Sequence, residues 1–349
     1  MSAVGDRQVG RNTTHVAAGS DGLVVVKQFD GDPRDALRRY QTSLAWDAVQ
    51  VDQGLRVGPP VVAHDDDAQT LSVAFVEGPT LQTLLDERAS WAECLDPLRL
   101  CGSLLGTVHS VDLDRARQVL DDEPERATRT PDGMDPLAMF VALTSQQYAE
   151  ASGGELECWA MFHHDPELLD ALRTWATSHR EPAEVVSVHG DLRPDQFIVG
   201  PTGAQLIDWE EWSIGSPTRD LAGIIGSLLV DALLATFGHG GAPSAALPME
   251  VHLAYVDRGV DQVAAMAPAA KAFLEGYREI ATAPIEADLL GADIGWALLE
   301  RVLARATLSH RLTGADRAVA GVARQALIHP STVLSALGLT LEETHHAVA

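Results

Sequence analysis

Lysine is nearly absent from this chain of 349 residues: of 25 basic side chains only Lys27 and Lys271 are lysines, and the rest are arginines. Cysteine is scarce and odd in number, with Cys94, Cys101 and Cys158 forming no CxxC pair. That argues against a disulfide framework or a thiolate metal site and fits free thiols in a reduced cytoplasm. No stretch approaches the roughly 20 apolar residues that span a bilayer, so no membrane partner is expected. The N-terminal MSAVGDRQVG lacks the basic and apolar regions of a secretion signal, and a cytoplasmic location is the expectation. Positive charge is also short. A formal net charge of −25 argues against a nucleic-acid groove, whose affinity rests on neutralising phosphates. Residues 1–80 hold 7 basic and 11 acidic side chains, so most of the surplus falls later in the chain. A lobe so charged attracts cationic ligands and basic peptides, or serves solubility alone.

What is present organises itself in two parts. The first eighty residues are β-rich: strand formers run from Gln8 to Ala18, Gly19-Ser20-Asp21-Gly22 makes a hairpin turn, and Leu23–Phe29 is a strand carrying Lys27. Pro33 opens a helix whose Leu37, Tyr40, Leu44 and Ala48 recur at helical spacing. Val61–His64 and Leu71–Val76 form a strand pair. Glu77-Gly78-Pro79 marks the boundary between an N-terminal lobe, 1–78, and a helical lobe, 79–349. Helices are expected over 81–85, 95–108, 137–149, 166–178, 219–236, 251–280, 286–312 and 315–328, with an acidic loop over 121–135. A β island interrupts them at 185–188, 197–199 and 205–207.

That island carries the chemistry. In Val188-His189-Gly190-Asp191-Leu192-Arg193-Pro194-Asp195-Gln196-Phe197-Ile198-Val199, an apolar strand delivers a carboxylate into a tight turn, and a carboxamide follows five residues later. A second strand ends in Leu206-Ile207-Asp208-Trp209-Glu210, a further carboxylate. Phosphoryl transfer needs such a set: one carboxylate to orient the acceptor hydroxyl and take its proton, and hard oxygen ligands for a magnesium ion on the phosphates.

The segment resembles the HGDxxxxN catalytic loop of the aminoglycoside phosphotransferase and choline kinase-like superfamily, followed by its metal motif at 206–210. Gly215-Ser216-Pro217-Thr218-Arg219-Asp220-Leu221-Ala222, Leu104 to His109, and Val76-Glu77-Gly78 resemble further motifs of that family in the same order. The resemblance implies an α+β, two-lobed protein-kinase-like fold with ATP and Mg²⁺ as cofactors. Carried over residue by residue, it implies Asp191 as catalytic base and Asp208 and Gln196 as metal ligands. It implies Lys27 on the nucleotide phosphates, the Gly10-Arg11-Asn12-Thr13 turn over them, and residues 75–79, Glu77 among them, against adenine. His189 and Asp220 would brace the loop, although Asp220 also suits a helix N-cap and His189 a purely structural place. Arg193 either neutralises γ-phosphate charge or pairs with Asp195 or Glu210. Trp209 and Trp212 read as core, and the His163-His164 and His345-His346 pairs as surface or tail.

The chain departs from the pattern in three ways. Gln196 stands where the family has Asn, Gly10 is the only glycine of the phosphate loop, and no glutamate lies between Lys27 and Val76 to pair with the lysine. Gln41, on the Leu37/Leu44 face, is the expected substitute, with Asp35 or Asp47 as others. For the acceptor, the wording GDLRPDQF resembles the phosphotransferase-like proteins of class V lanthipeptide and thioamitide biosynthesis. That resemblance implies phosphorylation of Ser or Thr in a precursor peptide ahead of elimination, beside a lyase-like partner protein. A cationic antibiotic or amino alcohol is the alternative acceptor, and a pseudokinase that binds a partner without turnover is the non-enzymatic one.

Overall fold

Clustered β-branched residues near the start of the chain (Thr13, Thr14, Val16, then Val24 to Val26) favour paired strands, and the computed structural model shows them paired. It describes residues 8–9, 12–20, 22–121, 137–180, 182–238, 248–339 and 341. Strands β1 (Gln8–Val9), β2 (Asn12–Ala18), β3 (Leu23–Phe29), β4 (Val61–Asp65) and β5 (Thr70–Ala74) form one antiparallel sheet in the order β1-β2-β3-β5-β4. The period of two along β3 buries Val24 and Val26 against Ala17 on one face and turns Val25 and Lys27 to the other. Lys27 is flanked in register by Thr14 of β2 and Leu71 of β5.

Helix α1 (Pro33–Asp52) starts where the sequence says it should. The Asp32 carboxylate accepts the Arg34 and Asp35 amides at 3.0 and 3.2 Å, and Pro33 occupies the first turn. Its orientation differs from the expectation. Leu37 and Leu44 are only partly buried, beside Phe29, Tyr40 and Leu71. The deeper face carries Arg39, Ser43, Trp46 and Gln50.

The rest of the described chain is mainly helical: α2 (Leu81–Glu87), α3 (Leu95–His109), α4 (Leu113–Asp121), α5 (Ala138–Val141), α6 (Ser145–Glu150), α7 (Gly153–His163), α8 (Pro166–Arg180), α9 (Pro217–Gly238), α10 (Pro248–Ile280), α11 (Ala287–Thr307), α12 (Gly314–Ile328) and α13 (Pro330–Ala336). The single helix expected over 137–149 is two, because Thr144 forms a capping box with Gln147 and starts α6 afresh. Helices α4, α7 and α13 were not expected. The acidic loop expected over 121–135 lies outside the described residues from 122 onward. Helices α3 and α10 pack at backbone contact: a Cβ on Gly102 would lie 2.0 Å from the Phe273 carbonyl oxygen. Helix α9 corrects one expectation. Pro217–Phe237 is long and apolar enough to cross a bilayer, yet 67% of its most apolar window is buried within the protein, as in a central core helix.

Candidate active site

Two short ladders hold the loop that the motif predicts. Strand β6 (Val186–Val188) pairs with β9 (Ser213–Gly215), and β7 (Phe197–Gly200) with β8 (Gly203–Leu206). After β6 the chain turns at Gly190, whose φ of 90° suits glycine and few other residues. The amides on either side of that turn are held by one carboxylate: His189 N donates to Asp220 Oδ2 at 2.6 Å and Gly190 N to Oδ1 at 2.9 Å. His109 at the end of α3 adds its Nε2 at 3.1 Å, and its Nδ1 lies 3.0 Å from the Tyr277 hydroxyl. Asp220 is wholly buried, which alone would raise its pKa; the His109 hydrogen bond and the Gly190 amide hold it below the ordinary value instead. It lies inside the first turn of α9 and not at its cap. The His189 ring is buried too, with Nε2 donating to the Ile207 carbonyl at 2.9 Å and the ring against Trp209.

Beyond the turn, Asp191 faces the cleft with its side chain nearly half exposed. Arg193 bonds it at 2.7 Å and Asp195 at 3.2 Å. Burial works against the Arg193 charge, but these two carboxylates hold its pKa above the ordinary value. The pairing is with Asp191 and Asp195, not Glu210. Gln196 is almost fully buried in a single 3₁₀ turn, Pro194–Gln196. Its Oε1 accepts the Arg193 amide at 2.8 Å, while its Nε2 is buried without a partner. The amide oxygen thus closes the turn and keeps one lone pair for another ligand. Asp208 takes φ 71°, one of two non-glycine residues with positive φ among those described. Such conformations cost energy and concentrate at functional sites.

Lys27 crosses from the sheet to meet this group. Its ammonium pairs with Asp208 Oδ1 and lies 2.6 Å from Glu210 Oε2. Gln41, Asp35 and Asp47 are not brought to it. Position 41 points away from the face that carries Arg39, Ser43 and Trp46, and Gln41 does not line the cleft. Asp35 is bound by Arg38 and Arg39, at 2.9 and 2.8 Å, and Asp47 accepts the Val61 amide at 3.1 Å. Asn12 does reach the site, where it donates to Glu210 Oε2 at 2.6 Å and accepts from Arg39. Gly10 and Arg11 lie outside the described residues. Of the expected adenine contacts, Phe75 and Val76 line the cleft, whereas the Glu77 side chain is exposed.

The cleft enclosed by these groups measures about 940 Å³. On the helical side, near Asp191, lies a residue the sequence reading missed. Glu300 of α11, exposed to solvent and outside the lining of the cleft, has its pKa raised, chiefly by partial desolvation among its neighbours, with Asp191 adding to the rise while Arg219 and a hydrogen bond from Trp296 oppose it. Its only signal in the sequence is a carboxylate within the apolar run Trp296-Ala297-Leu298-Leu299-Glu300-Arg301-Val302-Leu303. A second cavity of about 800 Å³, almost wholly apolar, lies between α9, α10, α12 and α13 and shares none of these groups.

A model of the phosphotransferase enzyme family matches residues 10–249. No curated protein matches the chain. Among solved structures, a spectinomycin phosphotransferase with ADP and spectinomycin is 12% identical, with a TM-score of 0.49 over 95% of this chain and 92% of its own. An amicoumacin kinase with AMP-PNP and Ca²⁺ is 12% identical, with a TM-score of 0.48 over 95% and 89%. A macrolide 2'-phosphotransferase from Brachybacterium faecium is 16% identical, with a TM-score of 0.43 over 92% and 91%.

Proposed function

The chain belongs to the phosphotransferase enzyme family, and on that premise we propose that it moves the γ-phosphoryl group of ATP, with Mg²⁺, to a hydroxyl of a small cationic molecule. It is an ATP-dependent enzyme acting on an alcohol. The observation that carries the site assignment is convergence: Lys27 from the sheet and Asp191, Gln196 and Asp208 from the helical part line one cleft.

In this reading Asp191 accepts the proton of the acceptor hydroxyl as its oxygen bonds the γ-phosphorus and the bond from that phosphorus to the ADP oxygen breaks. Arg193, already beside Asp191, offers a second cation to the charge that builds on the phosphoryl oxygens. Lys27 holds the α- and β-phosphates. The donor set suits magnesium. Among the described residues no cluster of three or more His, Cys, Asp or Glu forms a complete protein cage. Magnesium is commonly held by one or two carboxylates plus phosphate oxygens. Asp208 and the remaining lone pair of the Gln196 oxygen would hold it, and it would supply charge neutralisation on the phosphates.

Support for a small cationic acceptor comes from Glu300, a solvent-exposed carboxyl whose charge acts on the proposed base, and from the acidic surplus after residue 80. Ser or Thr of a precursor peptide is the second reading, favoured by the wording of the catalytic loop at Gly190 to Phe197. One panel separates them: γ-labelled ATP offered with aminoglycosides, macrolides and amino alcohols in one arm, and with Ser/Thr-rich precursor peptides in the other. Label on a cationic alcohol supports the first reading; label on peptide alone overturns it.

A further inference from the structure

In protein kinases the strand lysine is held by a glutamate from the helix that follows it. This chain has no glutamate between residues 28 and 76. Helix α1 presents guanidinium groups instead. Arg39 is fully buried, bound to Asp35, to Asn12 Oδ1 and to the Asp30 carbonyl at 2.6 Å. Arg38 forks onto Glu211, with two contacts of 3.0 Å.

The carboxylate comes from the opposite side of the cleft. Glu210, 7% exposed, places Oε2 at 2.6 Å from Lys27 Nζ, at 2.6 Å from Asn12 Nδ2 and at 3.7 Å from an Arg39 nitrogen. Its neighbours therefore come from β2, β3 and α1. Asp208, the other partner of Lys27, is more open at 28% and is the carboxylate proposed for the metal. A single carboxylate that turns to a metal cannot also anchor the lysine, whereas Glu210 is held where it is by Asn12 and Arg39.

We infer that Glu210 is the positioning partner of Lys27: it replaces the missing helix glutamate and keeps the lysine aimed at the nucleotide phosphates while Asp208 serves the metal. The charges across the interface between α1 and residues 209–211 are thus reversed, with cations on the helix and anions on the segment. The inference rests on the phosphotransferase reading.

The test compares wild type, Glu210→Gln, Glu210→Asp, Lys27→Ala and the Lys27→Ala/Glu210→Gln pair, each checked for a native melting transition. ATP affinity is measured by calorimetry with and without Mg²⁺, alongside KM for ATP and the Mg²⁺ concentration for half-maximal turnover. Glu210→Gln should weaken ATP binding about tenfold, with or without the metal. Glu210→Asp should recover part of the loss, and the double variant should be no worse than Lys27→Ala alone. Should the glutamine variant not fold, the aspartate variant carries the comparison: its smaller loss must vanish in the Lys27→Ala background. Unchanged ATP affinity, additive losses, or a change confined to the Mg²⁺ requirement would overturn the inference, the last by making Glu210 a metal ligand. If wild type binds no ATP, the functional reading fails first and this one with it; if wild type binds and the variants bind equally, only this one fails.

Discussion

Trp46 of α1 stacks on Trp209, with ring centroids 4.0 Å apart and planes 17° from parallel. Trp212 also lies against the Trp46 ring, at 5.5 Å. Trp209 stands between Asp208 and Glu210, so this contact ties the first helix to the segment that supplies both partners of Lys27. Removing the Trp46 ring should therefore affect stability and the site together. Trp46→Ala should cost about 3–5 kcal/mol, as for other buried tryptophans, and raise the KM for ATP. Urea unfolding and initial-rate kinetics check the two effects. A stable variant with unchanged KM would contradict the coupling.

Asp220 joins the turn at Gly190 to α9 and His109, and its effect should depend on pH in a defined direction. Its pKa is lowered on folding, so the stability it contributes is fully present above the unfolded value of about 3.9. That contribution is lost as pH falls through the lower folded value. The stability gap between wild type and Asp220→Asn should hold constant from neutral pH to about pH 5 and narrow below about pH 4. Urea midpoints measured from pH 7 down to pH 3 decide it.

The thiols should be inert while the protein is folded. Cys101 and Cys158 are buried, and burial raises both pKa values, that of Cys158 to about 12. Thiolate is the reactive form, so iodoacetamide at pH 8 should leave both unmodified and label them only in denaturant. Mass spectrometry of the intact and unfolded chain reads the difference.

Gln196 is predicted to matter twice. Its oxygen closes the Arg193 turn, so Gln196→Ala should lose about 1 kcal/mol of stability. If the same oxygen also holds the metal, the variant should need more Mg²⁺ for half-maximal turnover. A loss of stability without a change in metal requirement would leave the residue a structural cap.

Glu300 is the residue through which the acceptor reading can be probed without disturbing the nucleotide. Glu300→Gln should raise the KM for a cationic acceptor about tenfold and leave the KM for ATP unchanged. Equal KM values for the acceptor would remove the support this carboxyl gives to a cationic substrate.

The sheet, Lys27 and the loop from His189 to Gln196 were legible because each has a local cause. The β-branched run Val24-Val25-Val26 marked β3 as a strand, one of only two lysines in an arginine-rich chain marked itself, and the turn at Gly190 requires glycine. The split into α5 and α6 was written at Thr144 and Gln147, a capping box inside an apolar pattern taken as continuous. The partner of Lys27 was not legible. A helix face read from Leu37, Tyr40 and Leu44 gives no place to Arg39, and which carboxylate crosses the cleft depends on how residue 210 packs against β2 and α1. Glu300 was hidden for the same reason: its neighbours Asp191 and Arg219 are distant in sequence.

The most direct test of the central claim is transfer of label from γ-labelled ATP to an acceptor, with Mg²⁺, by wild type and by Asp191→Asn. The account predicts transfer by wild type and a fall of about 10²- to 10⁴-fold in the variant, with ATP affinity retained. Equal transfer by both proteins, or no transfer by a wild type that binds ATP, would contradict it.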